Sequence, residues 1–244
     1  LEFRRVLFRS RWATVDPVTT CYLALDVGGS KLSAAIVGDH GEVLVRDRVP
    51  TPQREVAAAL GRLASRVLAA APAVPAAVGV GCAGPMDPTT GTVHPLHIPS
   101  LQGVALEEEL AALTGLPVAV DHNAKALALG EAWCGAAVGE RDFVAVMMGS
   151  AVGGGIVSRG RLLEGRLGNA GQLGHVVVEP EGRSCACGGR GCVEAYCSGP
   201  AIEDETGRPP QRAPQAIVER TGILMGRALA SVGAACDLRL AVVG

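Results

Sequence analysis

Short apolar runs alternate with glycine-rich breaks along this chain, and the spacing of the runs predicts most of its elements. Cys21 to Val27 and Leu32 to Val37 flank Gly28-Gly29-Ser30-Lys31 and predict a hairpin, with Gly41 to Val49 as a third strand. Glu55 to Ala71 has helical periodicity and ends before Pro72. Ala77 to Cys82 predicts a buried strand leading into a Gly84-Pro85 turn, and Val104 to Thr114 a short helix stopped by Gly115. Pro117 to Val120 predicts a strand running into Asp121-His122-Asn123, and Ala124 to Ala137 a helix starting there. Phe143 to Met148 and Gly155 to Ser158 then repeat the opening figure around Gly149-Ser150-Ala151-Val152-Gly153-Gly154-Gly155, and Leu238 to Val243 predicts a core strand.

Two such hairpins, about half a chain apart, suggest two related lobes, each opening with a turn that can face a phosphate. Glycine suits that role because its backbone N–H can approach an anion with no side chain in the way. Either turn alone is more often a plain hairpin turn. The pair, with Asp26 before one turn and Lys31 after it, is a more specific signal. No GxxxxGK[ST] loop and no GxGxxG entering a helix occurs, which disfavours P-loop and Rossmann readings.

Composition narrows the class. With 48% hydrophobic and 19% charged residues, the 244-residue chain can build a large core. Aromatics are only 3%, so that core must come from Ala, Val and Leu. A net charge of −2 gives no electrostatic case for nucleic acid or an anionic membrane. No apolar run reaches the ~18–20 residues a spanning helix needs. The first residues, LEFRRVLFRSR, lack the apolar stretch of a signal peptide and do not blend into the strand pattern that begins at Cys21. Residues 1–20 are therefore set apart as an artefactual or disordered leader, with a frayed native tail as the alternative. Residues 21–122 are read as an N-terminal lobe and 123–244 as a C-terminal lobe.

The cysteines divide into two groups. Cys21, Cys82, Cys134 and Cys236 stand alone in apolar segments, as buried thiols do. Cys185, Cys187 and Cys192 crowd into eight residues, with His175 upstream. One imidazole and three thiolates make a complete tetrahedral soft-ligand set for zinc. Gly188, Gly189 and Gly191 let the chain double back, so that Cys192 can reach the same ion. Four filled positions leave no place for water, which makes the zinc structural. Cys197 lies outside this knuckle and reads as a core thiol, and the whole pattern fits a reducing cytoplasm.

Taken together, these residues resemble the ROK family of sugar kinases and repressors. The most specific part is L-G-H at 173–175 followed by C-A-C-G-G-R-G-C-V-E at 185–194. L-D-V-G-G-S-K at 25–31, G-V-G-C-A-G-P-M-D at 79–87 and M-G-S-A-V-G-G-G at 148–155 resemble the family's two phosphate motifs and the strand between them. The resemblance implies an α/β, two-lobed actin/hexokinase-like ATPase fold with ribonuclease H-like lobes. It implies a hexose and ATP with Mg2+ as substrates, and dimers or tetramers. Asp26, Gly28, Gly29, Ser30, Lys31, Gly149, Ser150, Gly153 and Gly154 would serve the nucleotide. Gly84, His122, Asn123, Gln172, His175 and Glu194 would line the sugar site, with His175 also on zinc.

The departures carry information too. Family members usually read E-N-D-A-N where this chain has Asp121-His122-Asn123-Ala124-Lys125. The general-base aspartate falls on Asn123, a sugar-binding asparagine on His122, and the glutamate before G-H on Gln172. His97 stands at another usual asparagine. An amide cannot accept the hydroxyl proton as a carboxylate does, so the expected enzyme is a glucokinase-like hexose kinase impaired at Asn123. Asp121 and His122 are the substitute bases on this reading, each needing a changed strand end. The alternative is an inactive sugar-binding ROK protein, a sensor or a fragment of a transcriptional regulator. The family's further glycine and helices do not follow Gly244, so the chain is expected to be C-terminally truncated.

Overall fold

A computed structural model of the chain describes residues 20–87 and 89–244, together with the strand Glu2–Arg5. The elements run β1 (Glu2–Arg5), β2 (Cys21–Val27), β3 (Lys31–Gly38), β4 (Val43–Pro50), α1 (Val56–Ala69), β5 (Val78–Cys82), β6 (Met86–Asp87), β7 (Thr92–Val93), β8 (Val104–Ala105) and α2 (Leu106–Thr114). Next come β9 (Val118–His122), α3 (Asn123–Cys134), β10 (Phe143–Met148), β11 (Val152–Ser158), β12 (Arg161–Leu162), α4 (Glu194–Cys197), α5 (Gly199–Thr206), α6 (Gln215–Cys236) and β13 (Leu240–Val243). Two compact units result. One holds the described residues from 20 to 126 together with Glu164–Asn169; the other holds Leu127–Leu163, Ala170–Gly244 and β1. The division falls inside α3 rather than at residue 122, and a six-residue segment from the second half of the chain belongs to the first unit.

The first unit is built on a five-stranded sheet in the order β4-β3-β2-β5-β9. β2, β3 and β4 are antiparallel neighbours, while β5 and β9 run parallel to β2. Alternation along β2 and β3 sends Leu23, Leu25, Val27, Leu32 and Ile36 into a core with Leu60, Leu63 and Val67 of α1. Leu106 and Leu110 of α2 complete it. The second unit repeats the figure. β10 and β11 form a hairpin, and β13 runs parallel on the free edge of β10, as β5 does on β2. Its sheet is covered on both faces. Val144, Val146 and Ala241 meet Leu224, Met225, Ala228 and Leu229 of α6 on one side, and Phe143, Ala145 and Val242 meet Ala128 on the other. That is why Phe143 to Val146 reads as an unbroken apolar run instead of an alternating one.

Three expectations change. The second glycine turn is tighter than its sequence suggests: β11 starts at Val152, so Gly153 and Gly154 pair with Met147 and Val146 within the ladder. The helix after Asn123 ends at Cys134 rather than Ala137, because the Glu131 carboxylate accepts the Ala136 amide and turns the chain. Glu2–Arg5, set apart with the leader, forms a parallel edge strand on β13, whose outer edge otherwise presents unpaired amides and carbonyls. Residues 1 and 6–19 of the expected leader lie outside the described residues.

Gly154 and Gly171 lock the second unit's hairpin to the loop behind it. The Gly154 N–H donates to Gly171 O at 2.8 Å. Gly171 has φ +95°, and a methyl there would overlap Gly154 O. A left-handed alanine costs ~1–2 kcal/mol and overpacking a further ~1–3. Gly171→Ala should therefore lower unfolding stability by about 2–5 kcal/mol, read from the urea midpoint. A change below about 0.5 kcal/mol would show that the loop gives way freely.

Candidate functional site

In the first unit, sheet register assembles the polar groups. Asp26, Gly81 and Asp121 lie in one row across β2, β5 and β9, with Gly81 packed closely under Asn123 of α3. Asp26 is half-buried, and desolvation raises its pKa against the lowering pull of Lys31. Gly28, Gly29 and Ser30 form the β2–β3 turn, closed by Gly28 N–H to Lys31 O at 3.1 Å. Thr51 braces it through its hydroxyl to Gly28 O at 2.7 Å and its amide to Ser30 O at 3.1 Å. Lys31 itself is exposed at the start of β3, and His97 is exposed in its loop.

β9 passes into α3 with no intervening loop, so Asp121, His122, Asn123 and Lys125 meet at one corner. Asn123 is half-buried, its Oδ1 2.9 Å from the Ala124 amide and its Cα packed against Gly81. Lys125 is 1% exposed. Its ammonium meets Asp121 Oδ1 at 3.3 Å, Glu164 Oε2, and Gly168 O at 2.9 Å. His122 is 6% exposed and lies over Gly84, where any side chain would overlap its Cε1 and Nδ1. Its Nε2 is 2.7 Å from Asn169 Oδ1. Sequence reading missed Glu164, Asn169 and the burial of Lys125. Their only trace was a polar, glycine-flanked stretch ahead of Gln172.

In the second unit, the turn Gly149–Ala151 is closed by Gly149 N–H to Ala151 O at 2.9 Å. Ser150 is half-buried within this turn. The Gly154 amide, expected at a phosphate, is committed to Gly171 O. Gln172 is exposed just before the 3-10 turn Leu173–His175. Glu194 is 7% exposed, and its Oε2 accepts the Val152 amide at 2.9 Å, which joins the glycine hairpin to the cysteine knuckle.

The knuckle brings His175, Cys185, Cys187 and Cys192 together with all ligand atoms within 4.8 Å of one another. Cys185 Sγ is 3.7 Å from His175 Nδ1, and Cys187 Sγ is 3.7 Å from Cys192 Sγ. Ligands of a tetrahedral zinc at ~2.0–2.3 Å stand about 3.5–3.8 Å apart, so the set fits that ion. The Gly189 backbone N–H holds the Cys187 thiol below its usual pKa, which suits a thiolate ligand. All eight cysteines are free thiols. Beside the knuckle, the Arg183 guanidinium stacks 4.8 Å over Tyr196, whose Oη accepts the Arg183 amide. Glu205 clamps Arg220 and Arg183, and those hydrogen bonds, Arg220's first, pull its pKa down to about 2. Nothing in the sequence pattern marked this clamp.

The ROK family profile matches residues 22–232. A glucokinase of Thermotoga maritima is 39% identical over 185 residues, covering 74% of this chain and 58% of that protein, so the chain spans less than two thirds of that relative. An N-acetylmannosamine kinase of Escherichia fergusonii is 32% identical over 239 residues, covering 91% of this chain and 81% of that one. The crystal structure of a ROK family glucokinase from Streptomyces griseus in complex with glucose and AMPPNP superposes with a TM-score of 0.81 at 28% identity, covering 92% of this chain and 82% of that one. With its two hairpin-led units of actin-like ATPase type and a profile match across most of its length, the chain belongs to the ROK family.

Proposed function

We propose that this chain is the greater part of a sugar kinase that moves the γ-phosphate of ATP, with Mg2+, to a hydroxyl of a hexose. The observation that carries this reading is the family match over residues 22–232, together with relatives named as glucokinase and N-acetylmannosamine kinase. Asp26 and the turns at Gly28–Lys31 and Gly149–Ser150 serve the phosphates and the metal. Gly84, His122, Asn123, Gln172, His175 and Glu194 serve the sugar. His175 Nδ1 faces the thiols, which leaves Nε2 for a hydroxyl. Zinc, when bound, closes the knuckle and fixes that imidazole, and no chemical step runs through it. Thiols and a thiolate knuckle suit a reducing, cytoplasmic setting. Among the described residues, no helix is long and apolar enough to cross a membrane.

Transfer breaks the sugar O–H bond while the oxygen attacks phosphorus, so the proton needs an acceptor. Asn123 stands where the family's carboxylate does and orients the hydroxyl without taking its proton. Asp121 is a poor substitute, because its Oδ1 is already committed to the His122 amide at 2.7 Å and to Lys125. The resulting enzyme is slow. A sugar-binding protein without turnover is the second reading, and the same amide at position 123 favours it.

Two outcomes test these assignments. Purified protein should carry about one zinc per chain by metal analysis, and Cys187→Ser should lose both the metal and thermal stability. A zinc-free wild type of undiminished stability would remove the knuckle assignment. In protein expressed from the complete reading frame, Asn123→Asp should raise hexose phosphorylation ~10²-fold or more, in kcat rather than in sugar KM. Fast wild-type turnover would contradict the impairment. No gain on Asn123→Asp would favour the binding protein.

A further inference from the structure

We propose that His122 Nδ1 accepts the proton of the sugar hydroxyl in the turnover that remains, and that Asn169 is the positioning residue that holds the imidazole in the tautomer able to do so. This rests on the sugar-kinase reading above.

The hydrogen bonds determine the tautomer. Asn169 Nδ2 donates to Met86 O at 3.1 Å and to Leu167 O at 2.6 Å, which uses both its hydrogens. Asn169 Oδ1 accepts the Met86 amide at 3.2 Å. Flipping the amide would set its NH2 against that N–H and its oxygen against two carbonyls, so the orientation is fixed. Oδ1 can then only accept from His122, and Nε2 carries the proton across the 2.7 Å contact. A neutral imidazole protonated at Nε2 has its lone pair on Nδ1. Among the described residues no donor bonds Nδ1, and the absent side chain of Gly84 makes the room that this edge of the ring occupies.

The surroundings keep the ring neutral. Burial lowers the His122 pKa, and Lys125 adds to that; the Asn169 bond and the charges of Asp121 and Glu164 oppose it. Lys125 is itself paired with both carboxylates and offsets part of their pull, so burial decides the direction. His122 closes β9 and Asn123 opens α3, so the two residues stand together at one strand end. In the step, the hydroxyl O–H bond breaks and its proton moves to Nδ1. The oxygen lone pair forms the bond to γ-phosphorus, the bond from γ-phosphorus to the bridging oxygen breaks, and its electron pair leaves with ADP. The imidazolium then returns its proton to water.

The test combines histidine 15N NMR with pH–rate profiles on protein from the complete reading frame. Wild type should show His122 as the Nε2–H tautomer at pH 7, with a pKa below the usual ~6.5. Its kcat should fall as pH drops through that pKa, because the protonated ring has no lone pair to offer. His122→Asn should lower kcat ~10²-fold and remove this limb. Asn123→Asp should replace the limb with one in the carboxylate range near ~4. Asn169→Leu should lose the tautomer and the rate together. Asn169→Asp should keep the tautomer but move the limb to higher pH, because a carboxylate stabilises the imidazolium. An Nδ1–H tautomer, or an imidazolium at pH 7, overturns the proposal. So does a pH profile left unchanged by His122→Asn, which leaves the kinase reading standing. Absence of hexose phosphorylation in both wild type and Asn123→Asp overturns the kinase reading and this proposal with it.

Discussion

A buried ammonium organises the corner on which the proposed chemistry depends. Removing an ion from water costs several kcal/mol unless it is paired and its hydrogen bonds are filled. Lys125, 1% exposed, has three donors, and Asp121, Glu164 and Gly168 O supply three acceptors. Two of those acceptors come from Glu164–Asn169, the segment that leaves the second half of the chain to join the first unit. Once Lys125 holds that segment, Asn169 falls within reach of His122 and of both backbone polar groups of Met86. The pairing that satisfies a buried charge therefore also sets the orientation of the neighbouring imidazole.

The second unit solves a different problem at its cysteine knuckle. Its knuckle, from Arg183 to Cys192, has hardly any core of its own; most of its residues are exposed. Four soft ligands give it a centre, and two polar ties fix it to its surroundings. One is Glu194 to the Val152 amide, which links it to the glycine hairpin. The other is Glu205, which holds Arg183 of the knuckle and Arg220 of α6 together over Tyr196. Both ties use carboxylates in charge-assisted hydrogen bonds, which are stronger than neutral ones.

Local pattern makes much of this legible in the sequence. Cys21 to Val27 alternates, so its hairpin and buried face can be read directly, and the Cys/His spacing identifies the knuckle because all four ligands lie close in sequence. What stays hidden depends on partners far apart along the chain. Lys125 looks like a surface residue until Glu164 and Gly168, about 40 positions later, close over it; Asn169 is 47 residues from His122. The second glycine turn reads too long because Gly153 and Gly154 have the composition of a loop. Their ladder pairing is set by Met147 and Val146, and the missing side chain of Gly154 makes room for Leu173. Glu2–Arg5 escapes sequence reading because an edge strand that borrows its order from β13 needs no pattern of its own.

In the proposed enzyme, the strand end formed by His122 and Asn123 receives the reacting hydroxyl of a hexose. A crystal structure of the protein with a hexose and a non-hydrolysable ATP analogue tests it most directly. One sugar hydroxyl should lie within about 3.2 Å of both His122 Nδ1 and the Asn123 side chain, the range of a hydrogen bond, with Lys125 still enclosed by Asp121, Glu164 and Gly168 O. A sugar bound with its hydroxyls directed away from His122, or no sugar there at saturating concentration, would contradict it.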